Sequence, residues 1–281
     1  MMNKIYDILE FLGRIDRRWI YLLVFIFVAL PLALKFKVKV NPTEEVKKAY
    51  NYIENLKEGE KVLISIDYDP ASMPELQPML YAILRHLFRK NLKVIMMGHW
   101  PLGLPLGKQA LEEVAMEYEK KYGEDYVFLG YRPGGSAVMV AMGSEIRNVF
   151  ATDQYGTPLD SLPVTRDIHN YDDIALLIGL EAGATGDFWV QFANARFGQE
   201  IILGCTAVIA PNLYPYYQAG QIRGIIGGLR GSADYENLVG KLGAGSIGMW
   251  VQSVIHILII VFIIFGNVGF FILRKRRKKG V

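Results

Sequence analysis

The feature that most constrains this chain is a 32-residue stretch, Leu242 to Leu273, without a single Asp, Glu, Lys or Arg. Its core, Trp250 to Leu273 (WVQSVIHILIIVFIIFGNVGFFIL), stops at six consecutive Lys/Arg residues, 274–279. About 20 apolar residues cross a hydrocarbon layer of roughly 30 Å, and a basic cluster fixes the end of such a helix. A second uncharged run, Trp19 to Leu34, has 16 residues. At about 1.5 Å per residue it is slightly short of a full crossing. Phe36 and Val38 extend it when Lys35 and Lys37 snorkel. Arg14, Arg17 and Arg18 precede it, and Trp19 and Tyr21 stand at its border as an aromatic belt would. A cleavable signal peptide is the rival reading. The lack of a small-x-small site before Lys35, and Pro31 inside the run, favour an uncleaved anchor.

The chain therefore divides into a basic tail (1–18), a transmembrane helix (19–38), a soluble domain (40–241), a second transmembrane helix (246–273) and a basic tail (274–281). The net charge of +3 is a sum over these parts, with basic ends on an acidic middle. It gives no reason to expect nucleic acid as a partner. With two spans, the positive-inside bias places both termini in the cytoplasm and the domain outside, although Lys35, Lys37 and Lys39 run against that bias. His256 and Asn267, inside the second span, suit helix–helix contact better than a proton path. Two spans are too few for a pore in one chain. The expected partners are membrane lipid, through the two helices, and a second copy or another membrane protein. The content of Phe and Tyr excludes disorder, and the single Cys excludes a disulfide scaffold. Cys205, within IILGCTAVIA, reads as a small buried hydrophobe.

The middle alternates short apolar strands with amphipathic helices. Strands are expected at 61–69, 93–100, 125–131, 172–180, 200–210 and 221–229. In PELQPMLYAILRHLFRKN, residues Leu76, Met79, Leu80, Ile83, Leu84, Leu87 and Phe88 follow helical spacing, which places His86 near the polar face. Residues 41–57 form a helix entering the domain, with Asn41 as cap. The pattern predicts an α/β fold, a Rossmann-like three-layer sandwich on a mostly parallel six-stranded sheet, flanked by the two transmembrane helices. The irregular segment 151–170 is long enough to suggest function or an inserted lid.

In an open parallel sheet, ligands bind beyond the carboxyl ends of the strands. Strand one ends in Asp67 and Asp69, strand two in His99 and Trp100, and strand three in Arg132-Pro133-Gly134-Gly135-Ser136. Strand four leads into Glu181 and the turn Ala182 to Asp187, strand five into Pro211, and strand six into Gly227 to Ser232. Three of these turns are Gly-rich and open a helix, where free N–H groups attract an anion. The expected ligand-binding set is Arg132, Gly134, Gly135, Ser136, Thr185, Gly186, Arg230, Gly231 and Ser232, for an anionic or strongly polar small molecule. The same residue types also serve ordinary βα turns and caps. Tyr214, Tyr216 and Tyr217 form an aromatic cluster suited to an interface.

No complete catalytic signature occurs. GxGxxG after a strand, GxxxxGK[ST], GxSxG, HExxH and Cys/His clusters are all missing, so neither a cofactor nor a metal is expected. Asp67 and Asp69 could share a cation, yet Asp69-Pro70-Ala71-Ser72 is also an ordinary cap. Two readings follow. The first is a non-catalytic, membrane-anchored module that binds a ligand or a protein, or acts as an oligomeric membrane scaffold. The alternative is a tethered hydrolase using Asp67, Asp69, His99 and Ser136.

Overall fold

The computed structural model describes residues 16–37, 39 and 41–278. The basic tails expected at 1–18 and 274–281 fall outside the described residues for 1–15 and 279–281. The chain forms two compact units: residues 1–38 with 247–281, and Lys39–Ser246.

The first unit holds two helices long and apolar enough to cross a membrane, α1 (Arg17–Leu34) and most of the last helix, α10 (Ala244–Lys278). The α1 helix starts one residue beyond Asp16, whose carboxylate accepts from Arg18 N at 3.0 Å. It stops at Lys35 in the left-handed region, short of the expected 38. Asn267 Nδ2 donates to the Ile263 carbonyl one turn back in its own helix at 2.8 Å.

The second unit is an α/β domain. Helix α2 (Glu44–Glu54) enters it, followed by β1 (Lys61–Asp67), α3 (Met73–Arg89), β2 (Lys93–Gly98), α4 (Leu104–Glu117), β3 (Tyr126–Tyr131), α5 (Ser136–Ser144) and β4 (Leu176–Glu181). Then come α6 (Thr185–Trp189), a π-helical turn (Val190–Asn194), α7 (Ala195–Phe197), β5 (Ile201–Cys205), α8 (Ala210–Gln218), β6 (Gly224–Gly227) and α9 (Gly228–Val239). All five pairings are parallel, in the order β3-β2-β1-β4-β5-β6. The order reverses between β1 and β4.

Strand alternation divides the core into two layers. Val62, Ile64 and Ile66 of β1 pack with α2, α3, α4 and α9, while Leu63 packs with the layer holding Met139, Trp189 and Leu213. Glu181 pairs in register with Asp67, and both share the second face. Adjacent strands lie about 4.8 Å apart, so two carboxyl side chains stand next to each other where the sheet reverses.

Three expectations change. His86 is fully buried, because Tyr235 of α9 and Tyr50 and Glu54 of α2 close over that side of α3. Residues Asn41 and Pro42 precede α2, whose cap position is Thr43. The 151–170 segment is no lid on the carboxyl edge. Gln154 N donates to the Phe128 carbonyl of edge strand β3, Val164 N donates to Gly123, and Leu159, Leu162, Val164 and Ile168 are buried. The segment covers a sheet edge that would otherwise expose unpaired backbone groups.

Candidate functional site

The carboxyl ends of β1, β2 and β4 meet at the reversal point, and Asp67 is the tie between them. It is fully buried. Its Oδ2 accepts from Ser65 Oγ at 2.6 Å, two residues back on the same strand face, and its Oδ1 accepts from His99 N at 2.7 Å. Desolvation raises its pKa, opposed by the nearby His99 ring and by these hydrogen bonds.

Glu181 is 1% exposed, and neither carboxyl oxygen has a hydrogen-bond partner. Burial pushes its pKa well above the carboxylate range, and Asp67 and Asp187 push it further. Burial thus favours the neutral acid, whose O–H can donate one hydrogen bond. The α6 turn is built around it. A Cβ on Gly186 would lie 1.8 Å from Glu181 Oε1, so any larger residue in the first turn of α6 displaces the carboxyl group. Gly183 is constrained likewise, since a Cβ there would lie 2.8 Å from the Trp100 ring.

His99 completes the group. Its Nδ1 lies 2.9 Å from the Arg132 carbonyl. A carbonyl only accepts, so Nδ1 carries the proton and Nε2 holds a lone pair in the neutral ring. That Nε2 is buried and unpartnered. The ring packs on Trp189 with centroids 5.6 Å apart. The site thus holds a carboxyl group and an imidazole nitrogen, both without hydrogen-bond partners and both shielded from water.

The remaining expected residues scatter. Asp69 caps its own turn, accepting from Ala71 N at 3.0 Å and from Ser72 N at 3.1 Å, and does not join Asp67. Arg132 stacks its guanidinium 4.7 Å from the Phe150 ring centroid, beside Gly134, Gly135 and Ser136 at the start of α5. Thr185 and Gly186 are buried at the start of α6.

The turn after β6 does not offer the seat expected of Arg230, Gly231 and Ser232. Arg230 bonds the buried Asp234 at 2.8 Å and the Asn41 carbonyl at 2.7 Å, and Gly231 and Ser232 are buried in the packing of α9. The chain's own groups fill that position. Tyr214 is exposed, and Tyr216 and Tyr217 are half-buried, with Lys48 Nζ 5.0 Å from the Tyr217 ring centroid. Cys205 is buried at the end of β5, and burial pushes its thiol pKa up. Among the described residues, no group of three or more His, Cys, Asp or Glu side chains gathers to hold a metal ion. A shallow depression on the outer face of α4, between Pro105 and Met116, contains none of these residues.

Sequence reasoning placed Glu181 at a strand exit but gave it no role. Its significance depends on β4 lying next to β1, which a single sequence does not reveal. No protein-family model matches the chain, and no curated protein or solved structure is significantly similar to it.

Proposed function

We propose that this protein is a membrane-anchored, Rossmann-like α/β module that binds a polar ligand or a partner at the reversal point of its sheet, without chemistry of its own. The observation that carries this reading is Glu181, a buried acid with two unpartnered oxygens where the strand order turns. A group left so costly to bury is repaired by a ligand that hydrogen-bonds it. The strand order 3-2-1-4-5-6 supports the Rossmann-like assignment, and ligands of such sheets sit at the reversal. An anionic group on the ligand has one seat left, the Arg132-Pro133-Gly134-Gly135-Ser136 turn.

The length and exposed apolar side chains of α1 and α10 support two membrane spans. The basic residues outside them support cytoplasmic termini and an extracytoplasmic domain. Protease added to intact cells is expected to cleave the domain, and full protection would reverse the orientation. His256 inside the second span and the Tyr214 cluster suit self-association. A detergent-purified complex heavier than one chain is expected by light scattering.

Ligand binding is tested by native mass spectrometry of the full chain released from lipid nanodiscs. The wild type should carry an adduct that Glu181→Leu loses and Met116→Ala keeps. A bare chain in every variant would sink the reading. The hydrolase alternative retains one supporting observation, the free Nε2 of His99 beside Asp67. It requires turnover of an ester or phosphoester that His99→Asn abolishes.

A further inference from the structure

Helix α10 carries three amide or imidazole side chains within its apolar run, Gln252, His256 and Asn267. All three are exposed. Among the described residues, neither Gln252 nor His256 has a hydrogen-bond partner. Asn267 Nδ2 is committed to the Ile263 carbonyl, which leaves its Oδ1 to accept. In hydrocarbon no water satisfies such groups, and leaving them unpaired is costly. Helix α1 offers them nothing over 22–34, where every residue is apolar.

These groups follow one spacing. Gln252, His256, Ile259, Ile263, Gly266 and Phe270 recur at alternating steps of four and three residues, and Asn267 borders the row. A repeat averaging about 3.5 residues keeps a single seam of a helix turned to a parallel partner, in a left-handed pair. Every residue of the row is exposed. The covered side of α10 is a different one, where Leu258 and Gly269 are buried and Val251 and Phe262 half-buried. A Cβ added at Gly266 would meet nothing within 4 Å. No neighbour among the described residues therefore accounts for the glycine. Small residues of this kind let two membrane helices approach closely.

We propose that this row is the contact between two copies of the chain: a parallel pair of α10 helices that packs at Gly266 and hydrogen-bonds Gln252 and His256 to their counterparts. The occupant is a second copy because the row is self-complementary. A side-chain amide and a neutral imidazole each hold both a donor and an acceptor, so identical residues at one depth satisfy each other across a two-fold axis. Copies of one chain enter a membrane the same way round, with the Lys/Arg cluster 274–279 on one side, so equal positions meet. In a 3.5-residue seam the residues at the core positions face their own equivalents, and a polar one among them fixes register and the number of helices. The proposal rests on the membrane reading of α10 and gives self-association a face, and the experiment separates the three.

Single variants Ile259→Cys, Ile263→Cys, Val261→Cys and Val268→Cys of the full chain are reconstituted in phosphatidylcholine vesicles at high dilution in lipid and oxidised with copper–phenanthroline. Cys205 is buried and stays reduced. Val261 and Val268 are exposed as well, but they point to other sides of the helix. Disulfide-linked dimers should form at 259 and 263 and stay at background at 261 and 268. Gly266→Leu, added to Ile259→Cys, should abolish the dimer although it touches nothing in its own chain, and Val268→Leu should leave it unchanged. His256→Leu should weaken the pair roughly threefold or more, the modest gain of an interhelical hydrogen bond in lipid.

Chains that wash off the vesicles in alkaline carbonate would remove the membrane reading and this proposal with it. Retained chains that give no dimer at any position overturn the pairing and self-association together. Dimers strongest at 261 or 268 leave self-association standing and overturn this face. Equal yields at all four positions report random collision and overturn it too. A dimer at 259 that survives both Gly266→Leu and His256→Leu undiminished likewise refutes the contact.

Discussion

Glu236 ties the last helix to the domain. Its Oε2 accepts from Gly243 N and Ser246 N, both at 2.8 Å, and from Ser246 Oγ at 2.6 Å, while Oε1 accepts from Gly245 N at 2.9 Å. Three of these donors are backbone N–H groups at the start of α10, which no intrahelical carbonyl can satisfy. A carboxylate there also faces the positive end of the helix dipole. Glu236→Ala strips all four donors of their acceptor. A hydrogen bond to a charged group contributes about 1.5–3 kcal/mol. The losses are not additive, so the expected cost is about 3 kcal/mol. The cost is local, because Glu236 and its donors all lie between the end of α9 and the start of α10. Hydrogen exchange on the full chain in nanodiscs, read by mass spectrometry of peptides covering 240–248, is the direct assay. About 3 kcal/mol less opening free energy is roughly a 100-fold faster exchange. Peptides of β1 and β4 should keep their protection. Unchanged exchange at Gly245 and Ser246 would refute the claim that this carboxylate holds the helix start.

Three further predictions follow from buried groups. Glu181 has its folded pKa raised, so the unfolded chain loses its proton first and stability falls as pH rises above the unfolded value of 4.5. Glu181→Gln removes that penalty, and its gain over wild type in urea midpoint should grow between pH 5 and pH 8, by about 1.4 kcal/mol per pH unit until the native pKa is reached; an equal difference at both pH values contradicts it. His86 is the opposite case, with burial and the neighbouring Arg89 lowering its pKa to about 4. Its stabilising neutral form is complete above 6.5 and is lost as pH falls from there to about 4, a term of about 3 kcal/mol that His86→Gln should flatten in a pH-dependent melting series. Gly186→Ala normally favours a helix, but here its Cβ meets Glu181. It should cost about 2–3 kcal/mol alone and almost nothing in a Glu181→Ala background, a coupling that a double-mutant cycle reads directly.

Elements whose periodicity was set by one buried face were readable from the residues. Leu76, Met79, Leu80, Ile83 and Leu84 recur at helical spacing because one side of α3 lies on the sheet. The six strands were readable as short apolar runs because both faces of a parallel sheet are covered. The sheet is wholly parallel, where the sequence pattern required only that it be mostly so. Features that depend on which segments meet were not readable. His86 sits toward the polar side of α3 by spacing alone, yet α2 and α9 converge there and bury it against Tyr50 and Tyr235. Glycines after strands four and six look alike in sequence. Gly186 makes room for a buried carboxyl group, whereas Gly231 lets α9 approach Ile226.

The same logic separates the two buried acids at the sheet reversal. Asp67 alone could be a structural tie, because its oxygens accept from Ser65 and His99. Glu181 has no such partner in the folded domain, and an alanine or leucine there would remove the burial penalty outright. Keeping an acid at that place costs stability at neutral pH, and the cost is offset only by something that binds it.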